Sequence, residues 1–115
     1  MGEQGHVPQR LFRQHGLIGA RRLVEEYSFG LEGIPGVIRV RIYAGLEGDW
    51  FEAEQSHYLH APGLDGPSVP ETQRYQSVEA ALQEVLESFT EGYGQAIRAG
   101  HTPSNRWLMP DHEFY

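Results

Sequence analysis

The chain has 115 residues, 39% of them hydrophobic, with nine arginines, no lysine, sixteen acids and a net charge of −7. That length suits one domain able to bury roughly two thirds of its extended-chain surface without covalent staples, and the absence of cysteine excludes disulfides and thiolate chemistry. No apolar run approaches the roughly 18 residues of a membrane span and no charged-then-apolar leader opens the chain, so no membrane contact and a soluble, cytoplasmic protein are expected.

Residues 1–22 form a basic arm, expected to be helical in part. Arg10, Arg13, Arg21 and Arg22 stand against one acid, Glu3, for a net of +3, whereas the rest of the chain carries −10. Such an arm can grip nucleic acid, but the acidic remainder repels phosphate. Nucleic acid is therefore not the expected partner, and the arm is expected to rest on its own acidic body.

A two-layer α+β domain is expected over residues 23–100: an antiparallel β-meander with strands at about 24–32, 37–44 and 49–59, then one long α-helix at about 78–99 packed on one face. Leu23, Val24 and Tyr27, with the i,i+4 pairs Arg21/Glu25 and Arg22/Glu26, also fit a helical turn. Any such helix has to end before the first strand.

The middle strand, Val37 to Ala44, is apolar at every even position and carries Arg39, Arg41 and Tyr43 at odd ones, the period of a half-buried strand. A four-residue loop over Gly45 to Gly48 sets Ile42 opposite Phe51, Val40 opposite Ala53, Arg41 beside Glu52, Arg39 beside Glu54 and Tyr43 beside Trp50. A one-residue slip would send Phe51 to the polar face and Glu52 to the core. On the other side, a turn over Gly33 to Gly36 pairs Leu31 with Ile38, Phe29 with Val40 and Tyr27 with Ile42.

The connector from His60 to Gln76 contains Pro62, Pro67 and Pro70 and is long for a structureless link, a length associated with function or mobility. The helix then starts at the N-cap Ser77 and ends before Gly100, with Val78, Ala81, Leu82, Val85, Phe89, Ala96 and Ile97 in one stripe. Gly92 and Gly94 weaken it by about 1 kcal/mol each unless close packing requires them. Glu84, Glu87 and Glu91 share its polar face, a solvated surface or a dock for something basic. In the tail, residues 101–115, Trp107 to Met109 is expected to pack on the domain edge as a short fourth strand, making the sheet three- or four-stranded.

Six histidines raise the question of a metal. His57 and His60, three apart on a strand, fall on opposite faces and make a poor chelating pair, and Asp111-His112-Glu113 needs an ordered tail. No metal site and no cofactor is expected. Ser56 and His57 are strand neighbours that point apart unless the backbone bends, the glycines from Gly30 to Gly36 lead into a strand and lack the features of a phosphate cradle, and no serine sits in a nucleophile elbow. No catalytic residue is nominated.

The order of three strands followed by a helix resembles that of antitoxin-type regulators with a truncated double-stranded-RNA-binding shape, from which the long Pro/Gly connector departs; no function is carried over from that order. What the residues favour is a non-enzymatic binding or regulatory module acting through protein–protein contacts. Its expected surface is the outer sheet face, Arg39, Arg41, Tyr43, Trp50 and Tyr58, with His60 and Trp107 at the loop and tail. Two alternatives stand beside it: an enzyme with its site near His57, His60 and the 60–76 loop, and a structural subunit of a larger assembly.

Overall fold

The computed structural model describes residues 9–115, so the first eight residues of the basic arm lie outside the described residues. A 3-10 turn, Gln9–Arg13, leads to strands β1 (Arg21–Leu31), β2 (Ile34–Gly45), β3 (Phe51–Gln55) and β4 (His57–Leu59), helix α1 (Val78–Arg98), a second 3-10 turn (Asn105–Trp107) and strand β5 (Leu108–Pro110). Strands β1, β2 and β3 form an antiparallel sheet in that order, while β4 and β5 form a second, two-stranded one. The domain is α+β, with α1 against the sheet, and among the described residues no helix is long and apolar enough to cross a membrane.

The inward face of the meander is the expected one, with Ile38, Val40 and Ile42 fully buried, but the register differs by two residues in the β2–β3 hairpin and over Tyr27 to Phe29 of the β1–β2 hairpin, and by four at Leu31, which stands opposite Ile34 and not Ile38. Ile42 stands opposite Ala53, not Phe51, and Arg41 opposite Glu54, not Glu52. The β2–β3 turn begins one residue later than expected because the Trp50 indole lies on the bare Cα of Gly45, where an added Cβ would meet the ring at 2.1 Å. The Gly45 N–H closes the hairpin on the Trp50 carbonyl at 3.0 Å. At the other turn Gly33, at φ +84°, turns the chain directly after Glu32, so Phe29 pairs with Ile38, not Val40. Sliding a hairpin by two residues leaves every side chain on its own face, which is why the core is unaffected.

Residues 21–23 extend β1 and do not form a helix. The long buried strand β2 needs main-chain partners along its length, and Arg21 to Leu23 supply them opposite Gly45 to Tyr43. Val24 is an extra residue there: Leu23 pairs with Tyr43 and Glu25 with Ile42, leaving Val24 as a bulge packed on the core.

The expected third strand is divided at Ser56. There the chain leaves the first sheet for the second, in which His57, Tyr58 and Leu59 pair with Pro110, Met109 and Leu108. The tail does form a strand, paired with β4 in the separate sheet.

Helix α1 is capped by the Ser77 hydroxyl, which accepts the Ala80 N–H at 3.0 Å. It ends in a Schellman turn with Gly100 at φ +90°, in which the His101 main-chain N–H donates to the Ala96 carbonyl. Ala81, Val85, Phe89, Gly92 and Ala96 face the sheet, and Phe89 meets Phe29 edge-to-face at 5.4 Å. Full burial of side chains such as Phe89, Ile38 and Leu59 stabilises the fold by about 1.5–3 kcal/mol each. Ile97, expected in the stripe, is 40% exposed.

Candidate partner-binding surfaces

The charges of the outer sheet face are paired differently from the expected ladder. Glu26 on β1 accepts from the Arg39 Nε at 2.9 Å and lies 3.5 Å from the Arg41 Nε. Arg21 reaches across β2 to Glu52 and Glu54 at 3.0 and 2.6 Å, its guanidinium 3.8 Å above the Tyr43 ring. The hydrogen bond from Arg39, with the charges of Arg39 and Arg41, holds the Glu26 carboxyl below its ordinary 4.5. Burial opposes the charge on Arg21, but Glu54 and Glu52 outweigh it and raise its pKa.

The tail then covers part of this face. Phe114, 4% exposed, sits 4.0 Å below the Arg41 guanidinium, and its carbonyl accepts from the Arg41 Nη1 at 3.0 Å. Trp50 lies at the far end under Arg74, at 4.0 Å, beside a small hollow lined by Phe12, Leu17 and Ile18 of the arm. The seven nominated residues are therefore spread over several environments. Arg39 and Arg41 meet Phe114, Tyr43 meets Arg21, and Trp50 meets Arg74. His60 and Trp107 lie elsewhere, joined by the His60 N–H to the Trp107 carbonyl at 2.7 Å, with Trp107 buried against Tyr93. Tyr58 belongs to the second sheet, where its hydroxyl donates to Asp111 at 3.3 Å. Burial first, and then Asp111, push its pKa above 10.0.

Ser56 and His57 do meet, because the backbone bends between β3 and β4. Ser56 Oγ lies 2.8 Å from His57 Nδ1 and also accepts the Arg39 N–H at 2.8 Å. With the Arg39 amide on one lone pair, the hydroxyl still has its proton and a second lone pair for His57, so the contact forms with either neutral tautomer of the ring. Burial keeps the His57 pKa below 6.5. The pair has the atoms of a nucleophile and base, but Ser56 is fully buried and its oxygen is occupied by a main-chain amide, so no substrate reaches it. Around His60 the surface is an open hollow lined by Ala61, Pro62, Leu64, Ser104, Arg106 and Trp107. Among the described residues no three His, Asp or Glu side chains come together as a metal site.

The second half of the connector, from Ser68 to Tyr75, runs back along β4 and β3 and is bridged to them at both ends. Ser68 donates to the Leu59 carbonyl at 2.7 Å, and Tyr75 exchanges two hydrogen bonds of 2.9 Å with Phe51. Between these bridges it bows outward around Pro70, leaving a cleft of about 350 Å³ bordered by Ala53, Gln55, Tyr58, Val69, Thr72 and Gln73. Phe51 points its N–H and C=O away from β2, so Ala53 and Gln55, two and four residues on, point theirs the same way, into the cleft. Among the described residues neither has a main-chain partner on that side. On the far side of the connector a second groove exposes Glu71, Glu84, Glu87 and Glu91. Burial favours the neutral form of Glu84, but the Thr72 and Glu71 amides outweigh it and lower its pKa, tying the connector to α1.

No protein-family model, curated protein or solved structure matches the chain.

The parts of this arrangement that the sequence reading missed are Glu26, Arg21, Asp111 and the main-chain edge of β3. Glu26 and Arg21 lie on residues with an equally good helical spacing. The edge is a property of backbone that no side-chain pattern reports.

Proposed function

We propose that the protein is a soluble, cytoplasmic, non-enzymatic binding module that acts through protein contacts, taking an extended peptide segment into the cleft between β3 and the Pro/Gly connector. The observation that carries this reading is the outward main-chain edge at Ala53, left without a main-chain partner between two bridged ends, with Gln55, 4% exposed, continuing it along the cleft border. A peptide entering as a short strand supplies the missing hydrogen bonds, and Tyr58, Val69 and Thr72 border the space its side chains would fill. Three prolines in the connector limit the entropy it loses on closing over a peptide. The outer face offers less, since its arginines and aromatics are already engaged by Glu26, Glu52, Glu54 and Phe114.

The test is selection of linear peptides from a displayed random library, followed by Ala53→Pro. Proline removes an N–H that faces the cleft and leaves the β2 ladder intact, a position at which an edge strand tolerates it. Peptides selected on the natural chain should bind the folded variant at least about tenfold more weakly, the loss of one to two hydrogen bonds. Unchanged binding to the folded variant, or a selection that yields no peptide, would overturn the proposal.

A further inference from the structure

The opposite edge of the same sheet carries a separate signal. Strand β1 pairs with β2 on one side, and among the described residues no strand pairs with the other. Its first six residues, Arg21-Arg22-Leu23-Val24-Glu25-Glu26, are self-complementary in charge when read antiparallel to themselves: Arg21 meets Glu26 and Arg22 meets Glu25. We propose that β1 is a homotypic docking edge whose partner is a second copy of this chain, joined about a two-fold axis at Leu23 to form a continuous six-stranded sheet.

Charge complementarity alone would not suffice, because residues opposite one another in an antiparallel pair must share a face. On a regular strand Arg22 and Glu25, three apart, point to opposite faces. The bulge at Val24 corrects this. Arg22 stands opposite Ala44 and Glu25 opposite Ile42, both on the helix side, while Arg21 stands opposite Gly45 and Glu26 opposite Arg41, both on the outer side. With the extra residue counted, both charge pairs of the palindrome match in face.

The availability of the side chains agrees. Arg21 and Glu26 are engaged within the chain, but Arg22 and Glu25 are exposed and, among the described residues, make no ion pair or side-chain hydrogen bond. In the dimer each Arg22 meets Glu25 of the second copy, so the contact is made twice. Leu23, 48% exposed, lies at the axis, and the same pairing brings Ala20 alongside Tyr27 of the second copy, itself 38% exposed. The bulge and the charges that deter an arbitrary strand from adding to this edge are matched only by a strand carrying the same pattern. Arg21 reaches over β2 to the border of the β3 cleft, but Arg22 and Glu25 do not line it, so the intermolecular pair does not depend on the peptide-binding reading.

The experiment is sedimentation analysis of the full chain and of three variants, Arg22→Glu, Glu25→Arg and the double exchange, with circular dichroism to confirm folding. The natural chain should show a monomer–dimer equilibrium that weakens as salt rises. Each single variant opposes like charges at two places and should raise the dissociation constant at least about tenfold, and the double exchange should restore it to within about threefold. A natural chain that stays monomeric up to about 1 mM, where even weak specific association is populated, overturns the proposal. So does a folded Arg22→Glu variant that dimerises as well as the natural chain, or a double exchange no better than the single variants.

Discussion

The Ser56 hydroxyl stands in for a ladder carbonyl opposite Arg39: it accepts the Arg39 N–H at 2.8 Å while the Ser56 N–H donates to the Arg39 carbonyl at 2.9 Å. The Ser56 carbonyl is thereby free to turn outward and accept the Asp111 N–H at 2.8 Å. One side chain thus lets the strand leave the first sheet without orphaning a donor and hands the tail its anchor. Ser56→Ala keeps the volume nearly constant but strands the Arg39 N–H, which should cost about 1–3 kcal/mol. A urea titration checks this against Ser28→Ala on the exposed part of β1, expected within about 0.5 kcal/mol of the natural chain. Equal midpoints for the two variants would mean that the hydroxyl is incidental to the strand switch.

That switch also marks where the sequence stops being legible. Strict alternation from Val37 to Ala44 and from Phe51 to Glu54 identifies the inward residues, because any register that buried Arg39 or Glu52 would be prohibitively costly. The same alternation is blind to a slide of two residues, and the choice between registers lies in the Gly45–Trp50 contact and the Gly33 conformation. The Ser56 bend is hidden for a different reason: residues on either side of it have ordinary strand character, and the alternative acceptor is a hydroxyl found only in three dimensions. At the surface, parity groups Arg39, Arg41, Tyr43, Trp50 and Tyr58, but it reports neither the departure of Tyr58 to the second sheet nor the Phe114 contact that covers part of the arginines, since a tail can dock on any exposed face.

His57 should make stability depend on pH below neutrality. Burial lowers its folded pKa beneath 6.5, so the unfolded chain takes up a proton before the native one does. Its contribution is fully present above 6.5 and is lost as pH falls from 6.5 through the lowered value. His57→Asn offers a non-titrating acceptor to the Ser56 hydroxyl. Between about pH 7.5 and about pH 5.5 its urea midpoint should fall less steeply than that of the natural chain. Identical slopes would mean that His57 does not carry the pH response.

The tail contact can be apportioned by a double-mutant cycle. Arg41→Gln loses the bond to the Phe114 carbonyl and the stacking on its ring, together about 1–2 kcal/mol. Phe114→Ala removes the ring but keeps the carbonyl, and should cost about 3 kcal/mol from lost burial. Because the two share the stacking contact, the double variant should be less destabilised than the sum by about 0.5–1 kcal/mol. Strict additivity in denaturant midpoints would mean that Phe114 acts by burial alone.

The two helix glycines should respond in opposite directions to alanine. A Cβ on Gly94 would meet only the guanidinium of Arg98 at 3.2 Å, the far end of a flexible side chain, so Gly94→Ala should stabilise α1 by about 0.5–1 kcal/mol. On Gly92 the same atom would lie 3.0 Å from Leu59 and 3.2 Å from Leu64, and Leu59 is fully buried with no room to retreat. There the propensity gain is outweighed by overpacking, for a net loss of about 1–2 kcal/mol. Thermal unfolding of the two single variants separates the cases. If both stabilise, the helix tolerates a side chain against β4, and the close approach of α1 to Leu59 cannot be why residue 92 is glycine.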